Sequence, residues 1–241
     1  MNIVFLAAGV GSRFKGKSKN KILLKVKKNH RIIDILRKNT SLTHINKRIF
    51  ILGHNSNELK KKIMNKNFQF IYNKYFKKKD MLHTLIMGLK SSNDDTIISY
   101  TDIIYSKALI EKIIKKKSKD ILLPIKTDWK KIWKIRGKLK SNDAESLIYN
   151  KVLKLIEIGK KIKKSTKGQF MGLVYIPKKK ISIILKIYEK IKNRKFQTTS
   201  FLEYLIKNHI EIKVMPNREP WYEFDDEEDL KNFYKYNDKF F

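Results

Sequence analysis

Short apolar runs rich in β-branched and aromatic residues alternate along the chain with segments whose apolar residues recur every three or four positions. The runs are typical of buried strands, and the longer spacing is typical of helices packed on a sheet. The pattern predicts strands over residues 3–6, 47–52, 68–72, 96–101, 120–125, 151–158, 169–176, 210–215 and 221–224. It predicts helices that begin at Ile32 and Asp226, and helices over residues 57–64, 81–89, 179–191 and 198–207. This alternation predicts an α/β fold with a Rossmann-like mixed, mostly parallel sheet and helices on both faces.

The pattern contains neither a linker nor an internal repeat, so residues 1–241 are expected to form a single domain. Residues 126–146 have no clear period, although they contain several aromatic and charged side chains. Because irregular segments often carry binding residues, we expect residues 126–170 to form an excursion that faces the substrate.

The first predicted strand ends in the sequence LAAGVGSR, which runs from Leu6 to Arg13. Gly9 and Gly11 allow a tight turn and the close approach of a ligand to the main chain. Exposed N–H groups in such a turn bind anionic oxygens, and Arg13 adds a rigid fork of donors suited to phosphate. Lys21 follows at the head of another apolar run. The segment therefore predicts a site for nucleotide phosphates, with a plain glycine turn as the alternative.

Two better-known phosphate loops fit this segment less well. The Walker pattern is matched only loosely, because no apolar helix follows Lys17 and Ser18. The dinucleotide fingerprint requires a glycine where this chain has Phe14.

The charge balance is strongly basic, with 56 Lys and Arg against 23 Asp and Glu and a formal net charge of +33. Such an excess can indicate a nucleic-acid-binding protein. The lysines are, however, spread almost evenly, and Ile, Asn, Phe and Tyr, which also have AT-rich codons, are abundant. A biased genome therefore explains the charge better than nucleic-acid binding does, although polyanionic substrates would still be attracted.

The chain has no cysteine, and therefore neither a disulfide nor a thiolate metal ligand. No apolar run is long enough to span a bilayer, and the chain begins directly with a predicted strand instead of a signal peptide. A cytoplasmic protein without a transmembrane segment is expected. The oligomeric state is left open, a homodimer included.

Two aspartates end short predicted strands. Asp102 follows strand 96–101, and Asp225 follows a strand in which alternation puts Trp221 and Glu223 on the same face as Asp225. An acid in such a place is costly unless it has a cation, and Mg²⁺ prefers a few carboxylates together with phosphate oxygens and water. Asp102 and Asp225 are therefore candidate Mg²⁺ ligands, with helix capping as the alternative role.

A resemblance to a known family rests on three motifs. The sequence LAAGVGSR with Lys21-Ile22-Leu23-Leu24 resembles the L-A-A-G-x-G-[ST]-R and P-K-x-L signature of nucleotidyltransferases with a GT-A-like fold, and Asn20 stands where they usually have proline. The segment Asp80 to Leu85 resembles their N-M-x-x-[ST]-L segment, which lies over the base and sugar. The ending Trp221 to Asp225, with looser blocks between residues 129 and 172, is similar to the choline-phosphate and phosphonate cytidylyltransferase branch.

The resemblance implies transfer of CMP from CTP, or of another nucleotide from its NTP, to a small phosphorylated acceptor with release of pyrophosphate. Lys21 and Arg13 would stabilise charge at the α-phosphorus, and Asp102 and Asp225 would hold Mg²⁺. The nucleotide-binding residues implied are Leu6, Ala7, Ala8, Gly9, Gly11, Ser12, Arg13, Lys21 and Thr84.

The acceptor is the least determined part of the hypothesis. Trp129, Trp133, Trp221 and Tyr222 could box a quaternary ammonium through cation–π contacts, with core packing of the tryptophans as the alternative. That box suits phosphocholine, whereas an aminoalkylphosphonate or phosphoethanolamine could use acids alone. The remaining candidates are Glu145 and Glu223 for the ammonium and Arg136 or Lys126 for the acceptor's phosphate. A sugar-1-phosphate nucleotidylyltransferase of the same fold and a basic nucleic-acid-binding domain are the competing hypotheses.

Overall fold

The structure is a computed structural model that describes residues 1–11, 14, 20–27, 30–65, 67–78, 80–138, 144–191 and 196–236. The strands are β1 Asn2–Ala7, β2 Lys25–Lys27, β3 His30–Arg31, β4 Lys47–Leu52, β5 Phe68–Tyr72, β6 Thr96–Tyr100, β7 Ile103–Tyr105, β8 Ile121–Lys126, β9 Glu145–Tyr149, β10 Leu155–Lys161, β11 Gln169–Phe170, β12 Leu173–Ile176, β13 Ile212–Asn217 and β14 Trp221–Glu223. The helices are α1 Ile32–Asn39, α2 Ser56–Ile63, α3 Met81–Lys90, α4 Lys107–Lys116, α5 Trp129–Ile135, α6 Lys178–Ile191, α7 Thr198–Lys207 and α8 Glu227–Tyr236, and a 3-10 turn spans Lys21–Leu23.

The central sheet has eight strands in the order β11-β8-β12-β6-β1-β4-β5, with β13 paired to β8. β1 lies between β4 and β6, and all three run parallel, as do β5 beside β4 and β13 beside β8. β11 and β12 are antiparallel to their neighbours. The predicted mixed, mostly parallel sheet is therefore confirmed.

Alternate residues of β1 point to opposite faces of the sheet, as the two-residue period of a strand requires. Ile3 and Phe5 lie in a core cluster with apolar residues of α1, α2, α4, α5 and α8. Val4 and Leu6 lie in a second cluster with residues of α3, α6 and α7. Because both faces are covered, β1 is apolar from Ile3 to Ala7, and its carboxyl end opens at the edge between the two layers.

Two predicted elements differ from the structure near the middle of the chain. Residues 169–176 form β11 and β12 instead of one strand, because Gly172 has a φ of +72° and interrupts the extended backbone. Residues 151–158 begin in a turn, and the strand β10 starts only at Leu155, where it pairs with β9.

Two helices have no counterpart in the predicted pattern. α4 buries Leu109, Ile110, Ile113 and Ile114 at helical spacing, so its signal was present in the sequence. α5 buries Trp129, Ile132 and Trp133 inside the stretch that was predicted to be irregular. In the part of the chain that the structure describes, no helix is long and apolar enough to cross a membrane.

Candidate active site

One cleft collects most of the residues that the sequence singled out for nucleotide binding. It lies at the carboxyl ends of β1 and β6, as expected for ligand sites in open α/β sheets, and has a volume of about 290 Å³. The candidates on its wall are Leu6, Ala7, Ala8, Gly9, Gly11, Lys21, Thr84 and Asp102. Further lining residues are Asn20, Phe76, Asp80, Met81, Tyr100, Thr101 and Gln197. We call this the nucleotide cleft; Ser12 and Arg13 lie outside the described residues.

The end of β1 is held in place by neighbours on both sides. The Thr101 hydroxyl donates to the carbonyl of Leu6 at 3.0 Å, and the N–H of His54 donates to the carbonyl of Ala8 at 3.2 Å. A Cβ on Gly53 would lie 2.6 Å from that Ala8 oxygen, so only glycine permits this approach. The backbone wall of the cleft is therefore held by hydrogen bonds from two neighbouring segments, and the short alanine side chains leave it accessible.

Lys21 is carried into the cleft by a short turn. Gly11, with a φ of +66°, ends the extended chain, and its carbonyl accepts from the N–H of Phe14 at 3.1 Å. Asn20 is buried at the start of the 3-10 turn, and its side-chain oxygen accepts from the N–H of Ile22 at 3.3 Å. Asn20 thus caps the turn at the position where the P-K-x-L signature has proline.

The two candidate metal ligands meet at the Lys21 ammonium. Lys21 Nζ lies 3.1 Å from Asp102 Oδ2 and 3.5 Å from Asp225 Oδ1, and the three side chains are only 12%, 22% and 12% exposed. Within the described ranges, no three His, Asp or Glu side chains form a preformed metal cluster. A pair of carboxylates that already shares one cation nevertheless fits Mg²⁺, which takes its other ligands from phosphate and water.

Behind Asp225 lies a buried group of charges that we call the Arg136 cluster: Arg136, Lys138, Glu223, Asp225 and Asp229. The fully buried guanidinium of Arg136 donates to Asp229 at 2.8 and 3.0 Å, to Asp225 at 2.9 Å and to Glu223 at 2.9 Å. Lys138 also donates to Asp229 at 2.8 Å. The cluster fixes the orientation of Asp225 from the side opposite to Lys21.

These contacts change the acid–base properties of the cluster. Burial lowers the pKa of Arg136, but its hydrogen bonds to Asp229 and the charges of Glu223 and Asp225 outweigh burial and raise the pKa. Burial and the charge of Asp225 raise the pKa of Glu223 above its usual range, against the opposing effect of Arg136. Arg136 was a candidate for binding the acceptor's phosphate; the structure instead engages its guanidinium with three internal carboxylates.

The three tryptophans lie in the core and do not line the nucleotide cleft. Trp129, Trp133 and Trp221 are 7%, 4% and 0% exposed. Trp133 stacks on Trp221 at 6.3 Å between ring centroids, and the Arg136 guanidinium lies 5.0 Å over the Trp133 ring. Trp221 also donates from Nε1 to the carbonyl of Met171 at 2.8 Å. This arrangement corrects the expectation of an open aromatic box: core packing, the alternative, is what the structure contains.

Glu145 and Glu223 act electrostatically on Tyr100, a residue that lines the nucleotide cleft. Burial raises the pKa of Tyr100, and the negative charges of Asp102, Glu223 and Glu145 raise it further. Burial also raises the pKa of Glu145, whose Oε1 accepts from the Thr199 hydroxyl at 3.3 Å. Glu223 is 23% exposed beside Arg136. The charges of three acids therefore act on one phenol of the cleft wall.

Asp80 has a structural role that its sequence position could have indicated. It is the N-cap of α3, where its Oδ1 accepts from the N–H of His83 at 3.1 Å, and its Oδ2 accepts from the N–H of Phe196. Asp80 thereby ties the segment before α7 to the cleft wall. Asn73, Asp229 and Gly53 also support the site, and only their tertiary contacts identify them.

The fold and the cleft together define a nucleotide-binding α/β enzyme, and comparison with known proteins gives its family. Residues 3–140 match the model of the MobA-like NTP transferase domain, and the chain belongs to this family. It is therefore a nucleotidyltransferase, and the resemblance inferred from the motifs is confirmed at this level.

Individual relatives agree with that assignment. The CTP:phosphoglutamine cytidylyltransferase of Campylobacter jejuni is 30% identical, over 96% of this chain and 98% of the relative. The inositol-1-phosphate CTP transferase from T. maritima has a TM-score of 0.76 at 14% identity, with 98% of this chain and 96% of that chain covered. The CTP:phosphocholine cytidylyltransferase from Streptococcus pneumoniae has a TM-score of 0.73 at 15% identity, with 98% of both chains covered. At such identities the two structures indicate a shared fold.

Proposed function

We propose that the protein transfers CMP from CTP to a small phosphorylated acceptor and releases pyrophosphate. The observation that carries the proposal is the convergence of Asp102 and Asp225 on Lys21, which lines a cleft walled by the backbone of Leu6 to Gly9. The full-length relative that is named as a CTP-dependent cytidylyltransferase supports the choice of CTP.

The chemistry requires charge neutralisation and alignment more than a protein nucleophile. A phosphate oxygen of the acceptor would attack the α-phosphorus of CTP, a new P–O bond would form, and the bond to the pyrophosphate oxygen would break. Both reactants are anionic, so a fixed ammonium at the α-phosphoryl group lowers the barrier. Lys21 is suited to this role because Asp102 and Asp225 hold its side chain in a partly buried position.

The proposal includes Mg²⁺, which Asp102 and Asp225 would hold. When bound, the ion would neutralise charge on the phosphate oxygens. The Arg136 cluster supports the proposal because it orients Asp225 through a hydrogen bond of 2.9 Å, and a ligand whose direction is fixed binds a hard cation better.

For the acceptor, we propose a phosphorylated compound with a primary amine or amide, of which phosphoglutamine is the first candidate. The relative named for phosphoglutamine matches this chain over nearly its whole length. Glu145 offers a carboxyl group to an ammonium, and Glu223 already accepts from Arg136. The buried tryptophans offer no open ring face to a quaternary ammonium such as that of phosphocholine.

Pyrophosphate release by the purified protein with Mg²⁺ tests this function. CTP, UTP, dTTP, ATP and GTP would each be paired with phosphoglutamine, phosphoethanolamine, 2-aminoethylphosphonate, phosphocholine and glucose-1-phosphate. We expect release with CTP and an amine or amide acceptor, and loss of release after chelation of the metal. Release only with glucose-1-phosphate would mean that the acceptor is a sugar phosphate. No release with any pair would contradict the proposal.

A further inference from the structure

Asn73 is a fully buried polar residue between the end of β5 and the helix α3. Its N–H donates to the carbonyl of Leu52 at 2.7 Å, which continues the pairing of β5 with β4 by one residue. Its side chain bridges two groups: Oδ1 accepts from the N–H of Tyr75 at 2.9 Å, and Nδ2 donates to Thr84 Oγ1 at 3.1 Å.

The direction of both side-chain hydrogen bonds follows from elementary chemistry. A backbone N–H can only donate, so the Asn73 atom that faces Tyr75 must be the carbonyl oxygen. The other amide atom is then the NH₂ group, which can only donate as well. Thr84 Oγ1 must therefore accept from Asn73, and the hydroxyl hydrogen of Thr84 must point elsewhere.

Thr84 lies on the wall of the nucleotide cleft and is only 5% exposed. No acceptor for its hydroxyl hydrogen is found among the residues that the structure describes. A buried donor without an acceptor is unfavourable, so a cleft occupant that presents an acceptor at this point is favoured over one that presents a donor.

We propose that Asn73 is a positioning residue for nucleotide binding: it holds the Thr84 hydroxyl as a hydrogen-bond donor to the base of the bound nucleotide. The inference rests on the proposed function, in which that base is cytosine. Cytosine presents acceptors at N3 and O2, and either atom can receive the Thr84 hydrogen. An occupant with a donor at this point would leave that hydrogen unpaired.

The substitution Asn73→Asp reverses the direction of the bond at nearly constant shape. One carboxylate oxygen still accepts from the N–H of Tyr75, but the other accepts from the Thr84 hydroxyl, so lone pairs instead of a hydrogen face the cleft. We expect the Kd for CTP with Mg²⁺, measured by calorimetry at mildly alkaline pH, to rise about tenfold or more. At lower pH the introduced carboxyl becomes protonated and can donate again, so the loss should shrink.

A double-mutant cycle separates this role from a purely structural one. Thr84→Val removes the hydroxyl and should itself weaken CTP binding, whereas Thr84→Ser should restore it. In the Thr84→Val background, Asn73→Asp has no hydroxyl to reorient and should weaken binding no further. An equal loss in both backgrounds, or an unchanged Kd for Asn73→Asp alone, would overturn the proposal.

Two controls keep the result interpretable. Thermal unfolding reports whether each variant is folded, and if Asn73→Asp is not, Asn73→Ala enters the same cycle with the same expected dependence on Thr84. Calorimetry on the unsubstituted protein separates failure of the proposed function from failure of the role proposed for Asn73. If it binds CTP but releases no pyrophosphate with any acceptor, the proposed function fails while the cycle still tests Asn73; if it binds no CTP, both are wrong.

Discussion

The nucleotide cleft and the Arg136 cluster are linked by Asp225, which contacts Lys21 of the cleft and Arg136 of the cluster, but the two regions are built in opposite ways. The cleft presents backbone atoms and short side chains that follow one another in sequence from Leu6 to Gly11. The cluster is assembled from residues far apart in the chain, such as Arg136 and Asp229, which are 93 residues apart. The cleft leaves its polar groups accessible to a ligand, whereas the cluster satisfies its own charges internally.

The difference indicates how each region should respond to substitution. Removal of a cleft side chain deprives the ligand of a contact and should lower activity with little effect on folding. Removal of one member of the cluster leaves the remaining buried charges unpaired and should destabilise the protein. Lys21 tests the first statement and Arg136 the second.

The largest effect on stability is expected for Arg136→Met. The substitution leaves Asp229 and its neighbours without their guanidinium, and breaking a buried ion pair in this way costs about 3–5 kcal/mol. Chemical denaturation should show a loss of this size in the free energy of unfolding. Lys134→Met, at an exposed position in α5 two residues before Arg136, is the matched control and should change it little. Equal stability of the two variants would mean that the Arg136 cluster does not stabilise the fold.

For Lys21→Ala we expect turnover to fall at least about 100-fold, by analogy with the loss of one transition-state donor. The free energy of unfolding should change much less than in Arg136→Met, because Asp102 and Asp225 keep partial access to solvent. Steady-state pyrophosphate release with saturating CTP measures the effect. Lys25→Ala, an exposed lysine four positions further on, controls for the loss of one positive charge. Near-normal turnover of Lys21→Ala would remove the proposed role of the ammonium.

The same contrast explains which parts of the molecule the sequence predicted. Most strands were predicted because buried parallel strands are continuous apolar runs. One wall of the cleft was predicted because its residues, Leu6 to Gly11, form one contiguous motif. The break at Gly172 depends on a positive φ that a glycine permits but does not require. The partners of Arg136 and the burial of Trp133 arise from contacts between distant segments, so local spacing could not distinguish an internal role from a ligand-binding one.

A smaller effect is expected for Trp133→Phe, which tests the assignment of the tryptophans to the core. The phenyl ring fills less of the space beside Trp221, so the free energy of unfolding should fall by about 1 kcal/mol while the KM for the acceptor stays unchanged. Glu145→Gln is the informative partner, because it should raise the acceptor KM and leave stability nearly unchanged. A higher acceptor KM for Trp133→Phe at normal stability would mean that Trp133 contributes to acceptor binding.

The smallest effect concerns Asn20, the position at which this chain departs from the proline of similar enzymes. The φ of Asn20 is −156°, far from the value near −65° that proline imposes, and its side-chain oxygen caps the turn that carries Lys21. Asn20→Pro should therefore lower kcat/KM for CTP by about fivefold, equivalent to about 1 kcal/mol for a lost cap, although it restores the common residue. Asn20→Asp, which keeps a capping oxygen, should stay closer to the unsubstituted protein. If Asn20→Pro were the more active variant, the loop would tolerate the proline geometry, and the cap would not be what positions Lys21.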